Sequence, residues 1–277
     1  MTNSNFESAL NWEVETKSIF LNQETAYTKC KDYLAITRND TQSILHIAKK
    51  SYTPTSNETF KKLVKDLSNH SGWEIRGYNE FAGGKKVLAY LKNNSLRNVS
   101  GFEFQDYLVI GNGHDGTTPL FVGTTNIMLR CQNQFSKILK NKNTKVVYHT
   151  KNQEAKIKDL RGFFEAYFLE VENLYSDYEA LSKVKISKEI IDSLVNRLVK
   201  VDEVEEKLST RKQNLITSIN HSIETECKDI GYNLFGLLNG ITHYTTHIFS
   251  GKNVVGNYFG TASKMNNEAF EFVSELV

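Results

Sequence analysis

The residues with the widest chemical reach in this chain are a histidine and a carboxylate set among glycines, in Gly111-Asn112-Gly113-His114-Asp115-Gly116. A histidine beside a carboxylate can serve as a base, a metal ligand or a phosphate contact. The same run is ordinary turn chemistry, because Asp-Gly between two β-rich stretches tolerates the positive φ of a hairpin. The sequence leaves both roles open for His114 and Asp115. His243 and His247 lie four apart on a helical stretch and share a face, where two imidazoles can approach one metal ion. No glutamate follows His243 in the metalloprotease manner and no third ligand is close in sequence. Packing among Tyr244, Ile248 and Phe249 is therefore expected, and no metal site is assigned. His46, His70, His149 and His221 stand alone and are assigned no role.

Familiar catalytic signatures are missing. There is no phosphate-binding Gly-x-x-x-x-Gly-Lys loop, no dinucleotide fingerprint between strand and helix, no Gly-x-Ser-x-Gly elbow and no Cys-x-x-Cys. These absences argue against an ATPase or a dehydrogenase. No catalytic residue and no cofactor is expected, and the reading leans away from an enzyme.

Charge points elsewhere. Of the 277 residues, positions 1–150 carry 19 Lys and Arg against 13 Asp and Glu, a surplus of six, while 151–277 carry 15 against 19. Between 130 and 158, eight cations face only Glu154. Such a run is either a solvated face or a phosphate footprint. Candidate nucleic-acid contacts are Lys85, Lys86, Lys92, Arg97, Arg130, Lys137, Lys140, Lys142 and Lys145. Aromatic residues among cations on a sheet can hold an unpaired strand by stacking and phosphate contact. Trp73, Tyr78, Tyr90, Phe102, Phe104, Tyr107 and Phe121 are the aromatic residues of that region, and core packing is their commoner fate.

The elements that must position these groups change character along the chain. Short strands are expected at 32–37 and 43–48 around the turn 38–41. Ser56 opens a helix that presents Phe60, Leu63, Val64 and Leu67 at helical spacing. A hairpin follows over 73–98 with its turn at Gly83-Gly84, then strands at 104–110 and 120–130 around the His-Asp-Gly loop. Beyond Cys131 the periodicity becomes helical. A short helix is expected under Phe135, Ile138 and Leu139, a long one over 154–181, one after Ser187, one over 203–229 closed by Gly231, and a last one over 233–249. Strands first and helices second predict an α+β protein. It would have an antiparallel hairpin sheet packed with helices in the N-terminal half and a mainly helical C-terminal half, with a basic domain 1–150 and a helical domain 151–277.

No basic and apolar leader opens the chain, and no run of about 18 apolar residues spans a bilayer. Cys30, Cys131 and Cys227 fit neither a disulfide framework nor a zinc pattern. The expectation is a soluble cytoplasmic protein of a bacterial host cell, without membrane contact.

Several stretches fall in a recognisable order. Asp40-Thr41 precedes Tyr52-Thr53-Pro54 with Asn57 and Phe60. The His-Asp-Gly loop precedes Arg130-Cys131-Gln132-Asn133 and His149-Thr150. Asn239-Gly240, His247, Gly260 and Lys264-Met265-Asn266 follow. Over about residues 30–272 this order resembles the phage/plasmid-like domain-of-unknown-function family, number nine hundred and thirty-two. Asn112, His114, Asp115, Gly116, Asn133 and Asn239 match its motif. Gly113 stands where the family usually has serine, and Gly240 where it usually has alanine. The family has no settled activity; the resemblance implies carriage by mobile elements near replication or recombination functions. A hairpin sheet followed by helices is also similar to single-strand annealing proteins of the RecT/Redβ type, which implies a basic groove, ring or filament homo-oligomers, and no ATP. The expected function is single-stranded DNA binding, with ATP-independent annealing in recombination, in company with further copies and a host or phage replication protein. Two alternatives stay open. One is a non-enzymatic inhibitor of a host restriction or defence factor, acting through the acidic helical half. The other is a metal-dependent nuclease using His114, Asp115 and His149.

Overall fold

The computed structural model describes residues 10–23, 26–128, 134–137, 145–160, 163–201, 208–249 and 260–277. It is α+β, with antiparallel strands first and helices second. Strands β1 (Val14–Gln23), β2 (Ala26–Arg38) and β3 (Ile44–Lys49) form one antiparallel sheet in sequence order. Strands β4 (Glu74–Phe81), β5 (Lys86–Val99), β6 (Phe102–Gly113), β7 (Leu120–Met128) and β8 (Gln134–Lys137) form a second, in which β9 (Lys145–Val147) also pairs with β7. The first residues of β7 pair with β9 (Leu120 opposite Val147), and its later ones with β8 (Thr124 opposite Lys137). The short helix expected from Phe135 is therefore strand where the chain is described, because four residues complete a ladder on β7. Ile138 and Leu139 lie outside the described residues.

The chain groups into two compact units that interleave in sequence. The first takes 1–94, 107–123 and 142–166; the second takes 95–106, 124–141 and 167–277. Strands β5, β6 and β7 each contribute residues to both, so the division does not fall at residue 150.

In the first unit, helix α1 (Asn57–Ser71) begins where the sequence indicates. The Ser56 hydroxyl accepts from the Thr59 amide at 3.0 Å, and Gly72, at φ 71°, closes the helix with its amide on the Ser68 carbonyl. Both devices satisfy backbone groups that a helix end leaves unpaired. Phe60, Leu63, Val64 and Leu67 are all buried, at a gain of roughly 2 kcal/mol each. Gly111 lets two sheet residues meet: a Cβ there would fall 2.1 Å from the Phe121 ring and 2.6 Å from Leu88. Helix α2 (Gln153–Asp159) and the first residues of the next helix, 163–166, also belong to this unit.

The second unit holds α3 (Phe163–Lys183) from Tyr167 onward, α4 (Lys188–Val199), α5 (Thr210–Ile230), α6 (Leu234–His243) with a π-helical turn Tyr244–Phe249, and α7 (Thr261–Ser274). The stripe expected over 154–181 is thus split between α2 and α3, and α7 and β1 add elements that the periodicity did not suggest. Ser187 occupies the N-cap position of α4 but makes no capping hydrogen bond. Gly231 does end α5, its amide on the Cys227 carbonyl at 2.9 Å. No described helix is long and apolar enough to cross a membrane.

Phe104, Tyr178 and Phe235 form the aromatic centre of this unit, with ring centroids 5.4–6.1 Å apart. Beside them Asp106, only 2% exposed, accepts from the Tyr175 hydroxyl at 2.5 Å and from Arg97 Nε at 3.2 Å; Arg97 also reaches Glu172. Arg97 therefore acts as the counter-ion of a buried carboxylate, which argues against its expected place among phosphate contacts. Arg97→Ala should lower unfolding free energy by about 3 kcal/mol, the low end for breaking a buried pair because Arg97 keeps some water; chemical denaturation measures it. Gly240 sets the spacing of α5 and α6, since a Cβ would lie 2.4 Å from the Ile223 Cα. Gly240→Ala gains about 1 kcal/mol of helix propensity against about 1–3 kcal/mol of overpacking on rigid backbone. A lowered melting temperature is the expected result.

Candidate functional site

The first unit is organised around one buried cluster, built from four separate stretches of chain. Glu13 places its carboxylate across the start of α1, accepting from the amides of Asn57 at 2.8 Å and Glu58 at 2.7 Å. An anion there satisfies free amides and faces the positive end of the helix. Trp12, 1% exposed, donates its indole N–H to Glu80 at 2.9 Å and lies 4.0 Å beneath the Arg38 guanidinium. Arg38 is itself held by Asp40 and Glu80. Gly84, at φ 95°, leaves room for the indole, because a Cβ would fall 2.7 Å from it.

The Asn57 side chain is the hinge of the cluster. Its Nδ2 donates to the Trp12 carbonyl at 2.9 Å, which turns Oδ1 toward His114 Nε2 at 3.1 Å. An amide oxygen can only accept, so Nε2 of His114 carries the proton. The ring is fully buried, stands edge-on to Trp12 at 5.6 Å, and its Nδ1 has no hydrogen-bond partner among the described residues. Burial, with the nearby His149, pulls the His114 pKa down to about 3, against a weaker opposing pull from Asp115. His114 is a neutral structural imidazole without access to a substrate.

Asp115 is likewise committed to the turn. Its Oδ1 accepts from the amides of Thr117 at 2.9 Å and Thr118 at 3.2 Å, and its Oδ2 faces Lys86 at 3.5 Å. Burial works to raise its pKa, but these amides and Lys86 outweigh it and leave it lowered. His114 and Asp115 therefore do not act as a pair, and among the described residues no three His, Cys, Asp or Glu are grouped to hold a metal. Gly113 has no room for the serine of the family pattern, since a Cβ would meet Thr118 at 2.5 Å.

The outer wall of the cluster carries His149. Its Nε2 donates to the Thr118 carbonyl at 3.1 Å, and its Nδ1 lies 3.2 Å from the Thr55 hydroxyl, which also reaches Gln153 at 2.8 Å. Burial lowers its pKa as well. Tyr52 lies 5.1 Å from the His149 ring and donates to the Gly113 carbonyl at 3.3 Å. Beyond this wall opens a cleft of roughly 690 Å3. Tyr33, His46, Tyr52 and His149 supply its rings, Lys49 and Lys151 its cations, and Ser51, Thr150 and Asn152 its neutral polar groups; among the described residues no carboxylate lines it. Gly116, at φ 71°, forms part of the rim, and a Cβ there would strike His46 at 2.3 Å.

The expected site residues divide. Asn112, His114, Asp115 and Gly116 are brought together, with Asn112 donating to the Thr55 carbonyl at 3.2 Å. Asn239 belongs to the second unit, where it donates to the Phe235 carbonyl. Lys85 is exposed, Lys86 is paired with Asp115, and Lys92 stands opposite Glu74 in the β4–β5 ladder. Lys137 and Lys145 fall in β8 and β9, but their side chains, like Arg130, Asn133, Lys140 and Lys142, lie outside the described residues. Sequence reasoning missed Trp12, Glu13, Tyr33, His46 and Lys49, while Lys151 fell within the basic run 130–158 without being named as a contact. Tyr52 and Asn57 were visible only as positions of the family pattern, and His149 there and in the nuclease alternative.

The neutral state of His114 gives a pH dependence of definite sign. An unfolded histidine binds a proton below about 6.5, whereas His114 in the fold binds one only near 3. Its contribution to stability is complete above 6.5 and declines as the pH falls from 6.5 toward 3, by roughly 1 kcal/mol per pH unit. Unfolding free energies measured across that window should show this slope, and His114→Gln should flatten it.

Comparison with known proteins places the chain in one family. Residues 44–269 match the family model described as Domain of unknown function (DUF932). No curated protein and no solved structure matches the chain. The match begins at the start of β3 and runs into α7, taking in Asn57, His114, His149 and Asn239. The chain belongs to the DUF932 family.

Proposed function

We propose that the protein binds single-stranded DNA through the cleft of its first unit, in the DNA metabolism of a phage or plasmid within a bacterial cytoplasm. The observation that carries this reading is the composition of the cleft: Tyr33, Tyr52 and His46 beside Lys49 and Lys151, with no carboxylate among the lining residues. The exposed Tyr33, with the half-buried Tyr52 and His46 beside it, offers bases a face to stack on, at about 1–3 kcal/mol per base, and lysines meet phosphates without reading sequence. Such a site favours unpaired strands, because a duplex hides its base faces. Lys49 and Lys151 make no ion pair among the described residues, in contrast to Lys86 and Arg97, so their charge is available to a polyanion. Annealing of complementary strands without ATP, by assembled copies, is the natural extension of this chemistry and is what the resemblance to RecT/Redβ-type proteins implies.

The test is fluorescence anisotropy with a labelled oligonucleotide of roughly 40 nucleotides. Binding should weaken as salt rises, with a log–log slope near −0.7 for each phosphate contact. Lys49→Ala with Lys151→Ala should reduce the magnitude of that slope by about 1.4, and Tyr33→Ala should weaken binding by roughly tenfold at every salt concentration. No binding at low salt would end the proposal.

A further inference from the structure

The hairpin of β1 and β2 is longer than the sheet it belongs to. From Ala26 to Tyr33, β2 is exposed apart from a half-buried Cys30, and burial begins only at Leu34. A two-stranded ribbon open to water on both faces is marginal by itself. This one nonetheless carries Tyr27 at 74% exposure, Phe20 at 56% and Leu21 at 55%. Large exposed apolar groups gathered on one element mark a contact surface.

The register says which groups share a face. Phe20 stands opposite Lys29, and Asn22 opposite Tyr27. Residues opposite each other in a ladder point to the same side, and successive residues alternate. Phe20, Asn22, Tyr27 and Lys29 therefore form one face of the distal ribbon, while Leu21 and Thr28 form the other. Toward the sheet the β1–β2 register breaks, with Cys30, Lys31, Asp32 and Tyr33 lying between the Phe20–Lys29 and Ser18–Leu34 pairs, and Tyr33 lines the cleft. Between Ala26 and Tyr33 the cations Lys29 and Lys31 outnumber the single carboxylate Asp32, and neither lysine is ion-paired among the described residues.

We propose that this ribbon face is a second segment of the single-strand site: a strand seated in the cleft continues past Tyr33 along β2, its phosphates on Lys31 and Lys29 and its bases on Phe20 and Tyr27. The proposal rests on the cleft reading and extends it outward by six residues of strand, about 20 Å at most. Rings flanked by cations match a polyanion with stackable faces better than they match an apolar protein surface.

The experiment compares oligonucleotides of roughly 4 and roughly 12 nucleotides against wild type, Phe20→Ala, Tyr27→Ala and Tyr27→Phe. Both alanine variants should weaken binding of the longer strand by about tenfold and leave the shorter strand, which the cleft holds alone, unchanged. Tyr27→Phe keeps the ring and should restore wild-type affinity. Failure of wild type to bind either strand would overturn the cleft reading, and this inference with it. Wild-type binding with equal affinity in the alanine variants would overturn the ribbon alone. So would loss of self-association in sedimentation without loss of affinity per protomer, which would assign the ribbon to a second copy of the chain.

Discussion

The hydrogen bond between Asn57 and His114 is the constraint on which the first unit depends. It joins the start of α1 to the tip of the β6–β7 hairpin, two stretches 57 residues apart, between side chains that are both fully buried. The Trp12 carbonyl fixes the Asn57 amide, the amide fixes the tautomer of His114, and burial keeps that imidazole neutral. A broken link would leave a polar group unpaired in the core, at about 1–3 kcal/mol. The arrangement is therefore closer to all-or-none than adjustable. Glu13 and Arg38 bind the N-terminal segment to the same point from outside. The His-Asp-Gly run that looks catalytic in sequence is the keystone of this cluster, and its chemical value is spent on structure.

That rigidity has a use at the surface. His149 belongs both to the buried network and to the cleft, so the network positions the cleft wall. Cations sort in the same way. Arg38, Lys86 and Arg97 are consumed by carboxylates, whereas Lys49 and Lys151 meet none among the described residues. A count of basic residues along the sequence cannot separate these two groups, since the difference lies in which acids the fold brings beside each one.

Local signals in the sequence were legible where local physics decides. The Ser56 cap, the apolar stripe of α1, the Gly83-Gly84 and Asp115-Gly116 turns and the Gly231 stop all depend on neighbours within a few residues. The misses are nonlocal. The stretch at β8 is strand because β7 offers an edge to pair with. The strand β1 is mostly exposed, so burial never imprinted a clear alternation on it, and α7 follows a segment with no periodic lead-in. The buried cluster was hardest to see, since Trp12, Asn57, His114 and His149 come from four places. Each alone reads as a cap, a turn or a lone side chain.

Photo-crosslinking of an unpaired oligonucleotide to the unmodified protein, with the attached peptides identified by mass spectrometry, addresses the central claim most directly. The account predicts crosslinks on Tyr33 and Tyr52, residues held on the cleft wall. Crosslinks confined to the helices between 188 and 277, with Tyr33 and Tyr52 untouched, would contradict it.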